Sequence, residues 1–268
     1  MSNRLSVLYM GVAIALLPKV LSAQITPPVQ YFNPSWSPDG ERIAFESTQD
    51  GKLSIFVVRR DGGDLRRLTS PEFTSEQPTW SPDGKHIVFS TDIEGQRKLF
   101  VMSPDGTDAK AIPGTALGFY ATFSSDGQWI LFSAQDGPRA PTTRVVVIHP
   151  DWSGRRLLGD STSSNEGPRW STDGERVIYT EVPILQPGPG ESFRDLAKRR
   201  TAQQRTISIS LNGADKRTIS DEEARRLSRD PAITPDGRWE VLVKRSGDVA
   251  ALVIRDRSNG TETRVVPR

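Results

Sequence analysis

Acidic residues in short turns are the first groups in this sequence that could bind a metal ion. Asp61 and Asp64 stand three residues apart, and so do Asp105 and Asp108. Calcium takes about six to eight oxygen ligands from several converging groups. Two carboxylates per turn, in separate parts of the chain, do not provide that set. We therefore interpret these aspartates as turn residues.

Histidine and cysteine are too scarce to predict a zinc or thiolate site. The chain has two histidines, His86 and His149, and no cysteine. They lie at the ends of two different predicted strands, and a structural zinc site needs four ligands. We predict no metal and no cofactor, and no disulfide or lipidated cysteine.

Nucleophilic catalysis also lacks its usual sequence signature. A serine hydrolase of the α/β type carries Gly-x-Ser-x-Gly at a strand-to-helix turn, and this pentapeptide is absent. We assign no catalytic residue and predict that the protein is not an enzyme.

One basic cluster, in residues 194–205, has two interpretations. It either binds an anionic partner or forms a solvated loop, since Glu191 and Asp195 lie beside it.

These residues lie within a repeated framework. A Ser/Thr-x-Asp-Gly turn occurs five times, and successive turns are 43 to 63 residues apart. Serine or threonine accepts a backbone hydrogen bond in such a turn, and glycine takes the position that favours positive φ. An aromatic or large apolar residue precedes each turn and is expected to pack between neighbouring repeats. The predicted turn and packing residues are Trp36, Asp39, Gly40, Trp80, Asp83, Gly84, Phe123, Asp126, Gly127, Trp170, Asp173, Gly174, Asp236 and Gly237, with Ile233 in place of the last aromatic residue.

Each turn is followed by strand-like segments. Ile87-Val88-Phe89 after the second turn is apolar on both faces, which is typical of a strand covered on both sides. A third apolar strand, a second Gly-bearing turn and a short polar strand complete the repeat. Four strands per unit of about forty residues are typical of a β-propeller blade.

The full repeat resembles a known family. The pattern Pro-x-Trp-Ser-Pro-Asp-Gly, then Ile-x-Phe, Asp-Gly and Arg-x-Leu-Thr, is similar to the TolB-type, WD40-like β-propeller repeat, most closely in residues 77–107. We predict an all-β propeller of four-stranded antiparallel blades, most simply five, with six including one incomplete blade as the alternative. The expected blades, within one domain at 24–268, cover residues 33–70, 77–113, 120–159, 167–220 and 230–268.

Two features mark the ends of the predicted ring. The fifth repeat is divergent, because Glu240 replaces the usual Ile or Val, and this predicts a weak blade or a change of register. Either residues 24–28 or residues 262–266 supply the last outer strand.

The N-terminal segment indicates export. Arg4 precedes an apolar run from Leu5 to Leu17, and Ala23 offers a small residue for cleavage, so residues 1–23 read as a signal peptide. Removing its two basic residues leaves 33 basic and 33 acidic residues. A neutral mature protein gives no general reason to bind nucleic acid. We expect a periplasmic or secreted monomer without a further membrane span.

The resemblance implies an exported, non-catalytic module that binds cell-envelope proteins. The longest loops, near 136–141, 181–205 and 220–231, should share one end of the ring, and loops on a rigid scaffold commonly carry binding residues. A carbohydrate- or peptide-acting lyase or hydrolase and a sugar-binding propeller, with the site at the channel mouth, are the alternatives. The predicted partner-binding residues are Arg139, Phe193, Arg194, Lys198, Arg199 and Arg200.

Export can be tested directly. The mature protein should begin at Gln24, or at Ala23 if cleavage follows Ser22, because the small residues at this junction suit signal peptidase. Mass spectrometry of the protein from the periplasm or medium would show this, and an intact Met1 in the exported protein would contradict it.

Overall fold

The computed structural model describes residues 28–93, 95–135, 142–228, 230, 232–247 and 249–266. The predicted signal peptide and Arg139 lie outside the described residues. Within them the chain forms nineteen strands and two helices, which confirms the all-β prediction.

Four antiparallel sheets have four strands each, and in each the strands follow one another in chain order. The first contains β1 Tyr31–Trp36, β2 Arg42–Ser47, β3 Ser54–Arg59 and β4 Arg66–Arg67. The second contains β5 Ser75–Trp80, β6 Ile87–Thr91, β7 Lys98–Met102 and β8 Lys110–Ala111.

The next two sheets repeat this plan. The third contains β9 Gly118–Phe123, β10 Ile130–Gln135, β11 Thr143–Ile148 and β12 Arg156–Leu158. The fourth contains β13 Ser163–Trp170, β14 Arg176–Pro183, β15 Arg205–Ser210 and β16 Lys216–Ile219.

The fifth sheet has three strands, β17 Trp239–Ser246, β18 Val249–Asp256 and β19 Glu262–Arg264. A single bridge between Ile233 and Glu240 occupies the place of its inner strand. β19 is therefore the outer strand of this sheet among the described residues, and residues 24–27, most of the other candidate segment, lie outside them. Five such sheets around an axis form the five blades of a β-propeller.

In the first four blades, the residue before the turn packs against the preceding blade. Trp80 lies with Ala44, Ile55 and Val57 of the first blade in one buried cluster. Phe123 and Trp170 pack in the same way between blades two and three and between blades three and four. These interfaces fix the order of the first four blades.

Trp36 closes the ring between blades one and five. It shares a buried cluster with Val241, Leu252 and Ile254, and its Nε1 donates to the carbonyl oxygen of Ala232 at 3.0 Å.

The junction between blades four and five is built differently. The described residues form no buried cluster that joins these two sheets. Instead α2, Asp221–Leu227, covers the free face of blade four, and its Ala224 and Leu227 pack on Ile178 and Ile219. Its Asp221 accepts a hydrogen bond from Thr206 at 2.7 Å. The helix takes the place that a neighbouring blade holds elsewhere.

The junction between blades four and five, the seam of the ring, explains why the fifth repeat is divergent. Glu240 pairs with Arg255 across the sheet, and Arg255 also contacts Glu262. Glu240 holds the position at which Ile43 and Ile87 face a preceding blade in their repeats. The register is unchanged. A charged residue is tolerated because, among the described residues, no buried cluster joins this face to blade four.

The other helix, α1, lies between β14 and β15 at Phe193–Gln203. Ser192 caps it by accepting from the backbone N–H of Asp195. It has no buried residue among its eleven. Because it connects the second and third strands of a blade, it lies at the end of the ring opposite the Asp-Gly turns.

All five turns share one hydrogen-bond pattern. In the second, Asp83 accepts from the Ser81 hydroxyl at 2.6 Å and from the backbone N–H of Lys85 at 3.0 Å, and Gly84 has φ of +70°. The Ser81 bond is the main reason why the pKa of Asp83 lies below its usual value. The pKa values of Asp126, Asp173 and Asp236 are lowered by the same bond. For Asp39, burial raises the pKa but the hydrogen bonds outweigh it.

These turns predict sensitivity to acid. A carboxyl group with a pKa lowered in the folded state stabilises the protein above its unfolded pKa of about 3.9 and loses that contribution as pH falls through the folded value. The urea midpoint should therefore fall below about pH 4.

Asp83→Asn keeps an acceptor in the turn but does not titrate, so its stability should decline less steeply between pH 5 and 3. An unchanged slope would mean that the turn carboxylates do not cause the acid sensitivity. Asp195→Asn, in exposed α1, serves as the control.

Helix α2 at the seam gives a second prediction. Ala224→Asp should lower the free energy of unfolding by about 2 kcal/mol or more, because it buries a carboxylate among apolar side chains. The same change at Ala197, which is exposed on α1, should cost less than about 0.5 kcal/mol. Equal losses in urea unfolding would show that α2 is not part of the stabilising core.

Candidate functional site

A cavity of about 230 Å³ lies on the axis of the ring. Its walls come from the inner strands of the first four blades and from the chain beside the fifth. The turn prolines Pro38, Pro82 and Pro235 also border it, so it lies at the turn end of the channel. The other lining residues are Asn33, Pro34, Ser35, Trp36, Gln77, Pro78, Thr79, Trp80, Ser81, Tyr120, Ala121, Thr122, Phe123, Pro168, Arg169, Trp170 and Ile233.

A β-bulge in each of the four inner strands shapes this wall. Asn33, Gln77, Tyr120 and Gly167 hold equivalent places and all have positive φ, between 44° and 60°. The strand pairing shifts at each of these points. Positive φ is uncommon outside glycine, and bulges commonly re-aim side chains near functional sites. Proline follows the bulge residue in three of the four strands.

A buried carboxylate supports two of the bulges. Glu46 Oε1 accepts from Asn33 Nδ2 and from the backbone N–H of Gln77, both at 2.6 Å. Burial raises the pKa of Glu46 and these two hydrogen bonds oppose the rise. Gln77 Oε1 in turn accepts from the backbone N–H of Tyr120 at 2.8 Å. Side chains of one blade thus hold the bulge of the next.

The cavity wall combines apolar, aromatic and neutral polar side chains, and its described residues carry a single charged group. Among the described residues that line it, Arg169 is the one with a charge and none is acidic. Burial lowers the pKa of Arg169, and Asp221 opposes this effect. Tyr120 stays 49% exposed and contributes an accessible aromatic ring.

The loop residues predicted to bind a partner lie elsewhere. Phe193 is 87% exposed on α1, where Arg194 and Lys198 are also exposed. Arg199 is held in an ion pair with Glu191 at 2.7 Å. Neither these residues nor Arg200 line the cavity, so the cavity and the insertion present separate surfaces.

The acidic turns and His149 take structural places. Asp61 Oδ1 accepts from the backbone N–H of Gly63, and Asp105 Oδ1 accepts from that of Thr107. His149 stacks on Trp129 with ring centroids 3.7 Å apart. Across the described part of the chain, no three His, Asp or Glu side chains converge as a metal site would require.

Sequence reasoning identified the aromatic residues of the wall but not the cavity. The signal was present as x-Pro-x-Trp before three of the five turns, with Asn33, Gln77 and Gly167 at its first position. The pattern does not indicate that its first residue adopts positive φ and forms a bulge at the axis.

The ring of blades around an axial cavity defines the protein as a β-propeller. Residues 23–186, more than half of the chain, match the family model of the TolB β-propeller domain. The chain belongs to this family.

Individual relatives agree with this assignment. Over 43 residues the chain is 46% identical to the Tol-Pal system protein TolB of Syntrophus aciditrophicus (strain SB), a stretch that covers 16% of this chain and 10% of that protein. The chain thus covers a small part of this curated relative.

Solved structures show the same fold. TolB from Acinetobacter baumannii is 17% identical with a TM-score of 0.55, over 88% of this chain and 53% of that one. A TolB candidate from Agrobacterium tumefaciens is 17% identical with a TM-score of 0.57, over 88% and 80%. A puromycin hydrolase is also 17% identical, with a TM-score of 0.53, over 87% and 35%. At these identities the likeness concerns the fold alone.

No helix in the described ranges has the length and apolar character needed to cross a membrane.

The Glu46 network predicts how substitutions will act. Glu46→Gln keeps an oxygen that can accept both N–H groups, whereas Glu46→Leu leaves Asn33 and Gln77 unpaired. Leucine should therefore cost about 2 kcal/mol or more in urea unfolding, and glutamine less than about 1 kcal/mol.

The two variants also separate charge from hydrogen bonding. A carboxyl group with a raised folded pKa loses stability as pH rises above its unfolded pKa of about 4.3. Glu46→Gln should remove this loss between pH 4.5 and 7. If glutamine and leucine cost the same, the hydrogen bonds would not be the source of the stability.

Proposed function

We propose that the protein is an exported, non-catalytic propeller that binds a protein partner in the cell envelope. The observation that supports this proposal best is the axial cavity, whose described lining consists of aromatic, proline, aliphatic and neutral polar side chains with one arginine and no acidic residue. The relative from Syntrophus aciditrophicus is a Tol-Pal system protein, which supports a place in the envelope. The periplasm is the compartment that this family membership and the N-terminal sequence favour.

The composition of the wall supports binding rather than chemistry. Glycoside hydrolysis typically uses a pair of carboxylates that flank the scissile bond, and the described lining supplies neither. The one buried carboxylate nearby, Glu46, is engaged by two N–H groups behind the wall. Exposed apolar surface rimmed by polar groups is typical of protein interaction sites.

The rigidity of the wall favours a pre-formed site. Trp36, Trp80 and Trp170 are between 3% and 5% exposed and are fixed by the blade interfaces. Prolines on the same wall restrict the backbone. A partner segment would therefore meet a surface that loses little conformational freedom on binding, which favours affinity.

The proposal predicts where substitutions weaken binding. Tyr120→Ala removes an accessible ring at the cavity and should lower the yield of a specific partner captured from envelope extract by about tenfold. Phe193→Ala, an equally aromatic and more exposed residue on α1, should leave that yield unchanged. Quantitative mass spectrometry of cross-linked complexes would measure both.

If Phe193→Ala lowered the yield and Tyr120→Ala did not, the binding surface would lie on the insertion that contains α1, at the end of the ring where the loops are longest. Deleting residues 186–203 while the blades stay folded would then abolish capture. If no partner were enriched over the amount captured by an unrelated exported propeller, the proposed function itself would be refuted.

A further inference from the structure

The insertion between β14 and β15 carries more positive charge than its own acidic residues neutralise. Residues 191–205 contain five basic and two acidic residues. Glu191 is engaged by Arg199. Asp195 contacts Lys198 at 3.9 Å, with the two side chains 62% and 68% exposed, and an exposed pair of this kind contributes little. The other three basic residues take no part in the ion pairs formed among the described residues, so the insertion presents an uncompensated positive charge.

The geometry of α1 turns part of this charge outward, next to an aromatic ring. Arg194 and Lys198 are four residues apart, and so are Phe193 and Ala197, so each pair shares one side of the helix. All four residues are exposed, Phe193 to 87%. Leu196 is half-buried, on the side of α1 that packs against β14. Two cations and a large apolar side chain therefore point away from the blade.

Two residues at the ends of the insertion extend this surface. Ile184 follows the end of β14 and is 41% exposed. Arg205 is the first residue of β15 and is also exposed. Both strand ends lie at the end of the ring opposite the Asp-Gly turns. The insertion thus collects exposed cations and two exposed apolar side chains at a single end of the propeller.

This combination is typical of a surface that meets a membrane from one side. Clusters of about four to eight basic residues on a helix are characteristic of binding to anionic phospholipids. Helices that lie at the membrane interface add an aromatic or leucine side chain beside the basic ones. None of the eleven residues of α1 is buried, so the helix stands out from the blade and could approach a flat surface.

We infer that the end of the propeller that carries α1 docks on an anionic phospholipid membrane. Arg194, Lys198 and Arg205 lie near the lipid phosphates, and the ring of Phe193 enters the headgroup layer. The inference does not rest on the proposed function, because the residues of α1 are not among those that line the cavity. A membrane bound at α1 leaves the turn end of the channel open to a protein partner.

The first test uses vesicles that differ in charge. The purified mature protein is sedimented with vesicles of phosphatidylcholine alone, and with vesicles of phosphatidylcholine and phosphatidylglycerol in equal amounts. The wild-type protein should bind the anionic vesicles at least about tenfold more tightly, because each basic residue near such a surface strengthens binding about fivefold. This preference should weaken as salt is added, because salt screens the charges.

Substitutions then locate the binding surface. The double variant Arg194→Gln with Lys198→Gln should bind the anionic vesicles about 25-fold more weakly than the wild type. The matched double variant Arg225→Gln with Arg226→Gln removes two exposed cations from α2 and should bind as the wild type does. Equal weakening in the two double variants would overturn the inference, because binding would then follow net charge rather than α1.

The aromatic ring and the orientation are tested separately. Phe193→Ala should weaken binding about fivefold, through lost burial of apolar surface. Since the chain has no cysteine, a polarity-sensitive fluorophore can be attached at Ala197→Cys on α1 or at Lys85→Cys in the second turn. Emission from position 197 should move to shorter wavelength on the anionic vesicles, and emission from position 85 should not. The same response at both positions would overturn the proposed orientation.

Failure of this inference is distinguishable from failure of the proposed function. If the wild-type protein bound neither kind of vesicle, or bound both equally, the membrane inference would be overturned and an acidic protein surface would be the better ligand for these cations. A partner whose capture depends on Tyr120 would still support the proposed function in that case.

Discussion

The contact on which the structure depends is the packing of one large side chain per blade against the blade before it. Trp80 and Trp170 are the most regular examples, and Phe123 serves the same purpose without an indole N–H. Each of these side chains is nearly inaccessible to solvent, and burial of aromatic surface is among the largest favourable contributions to folding. Because the contact recurs between successive blades, it fixes their order and spacing around the axis.

The hydrogen-bonded turns fix the position of that side chain at the end of the inner strand. The Ser–Asp–Gly geometry ends the inner strand directly after the aromatic residue. The turns also contact one another: a Cβ on Gly84 would lie 3.3 Å from Pro38 of the preceding turn, and one on Gly40 would lie 3.4 Å from Thr234. The turn motif therefore serves both the single blade and the rim of the ring.

The exception to this packing is the seam between blades four and five, and it affects both stability and the candidate site. Among the described residues no buried cluster joins these two blades: α2 covers blade four, and blade five carries the ion-paired Glu240 and Arg255. The same helix orients Arg169 through Ser228. A substitution that loosens α2 is thus expected to disturb the cavity wall as well as the fold.

Much of this was readable from the sequence because it is local and repeated. The turn residues specify their own backbone geometry, and the apolar triplets after them specify strands covered on both faces. The repeat also carried the family resemblance, since Trp-Ser-Pro-Asp-Gly is a local motif.

Only the tertiary structure decided what depends on contacts between distant segments. Glu240 and Ile233 predicted a weak blade or a change of register; the structure shows the weak blade, with three strands and a single bridge, in a regular register. The cavity arises because four bulges, each local, converge on one axis. Arg169 and Ser228 are 59 residues apart, and nothing in the sequence around either one indicates the other. Residue spacing encodes strands and turns, but the neighbours of a side chain across the ring are set by how the blades close around it.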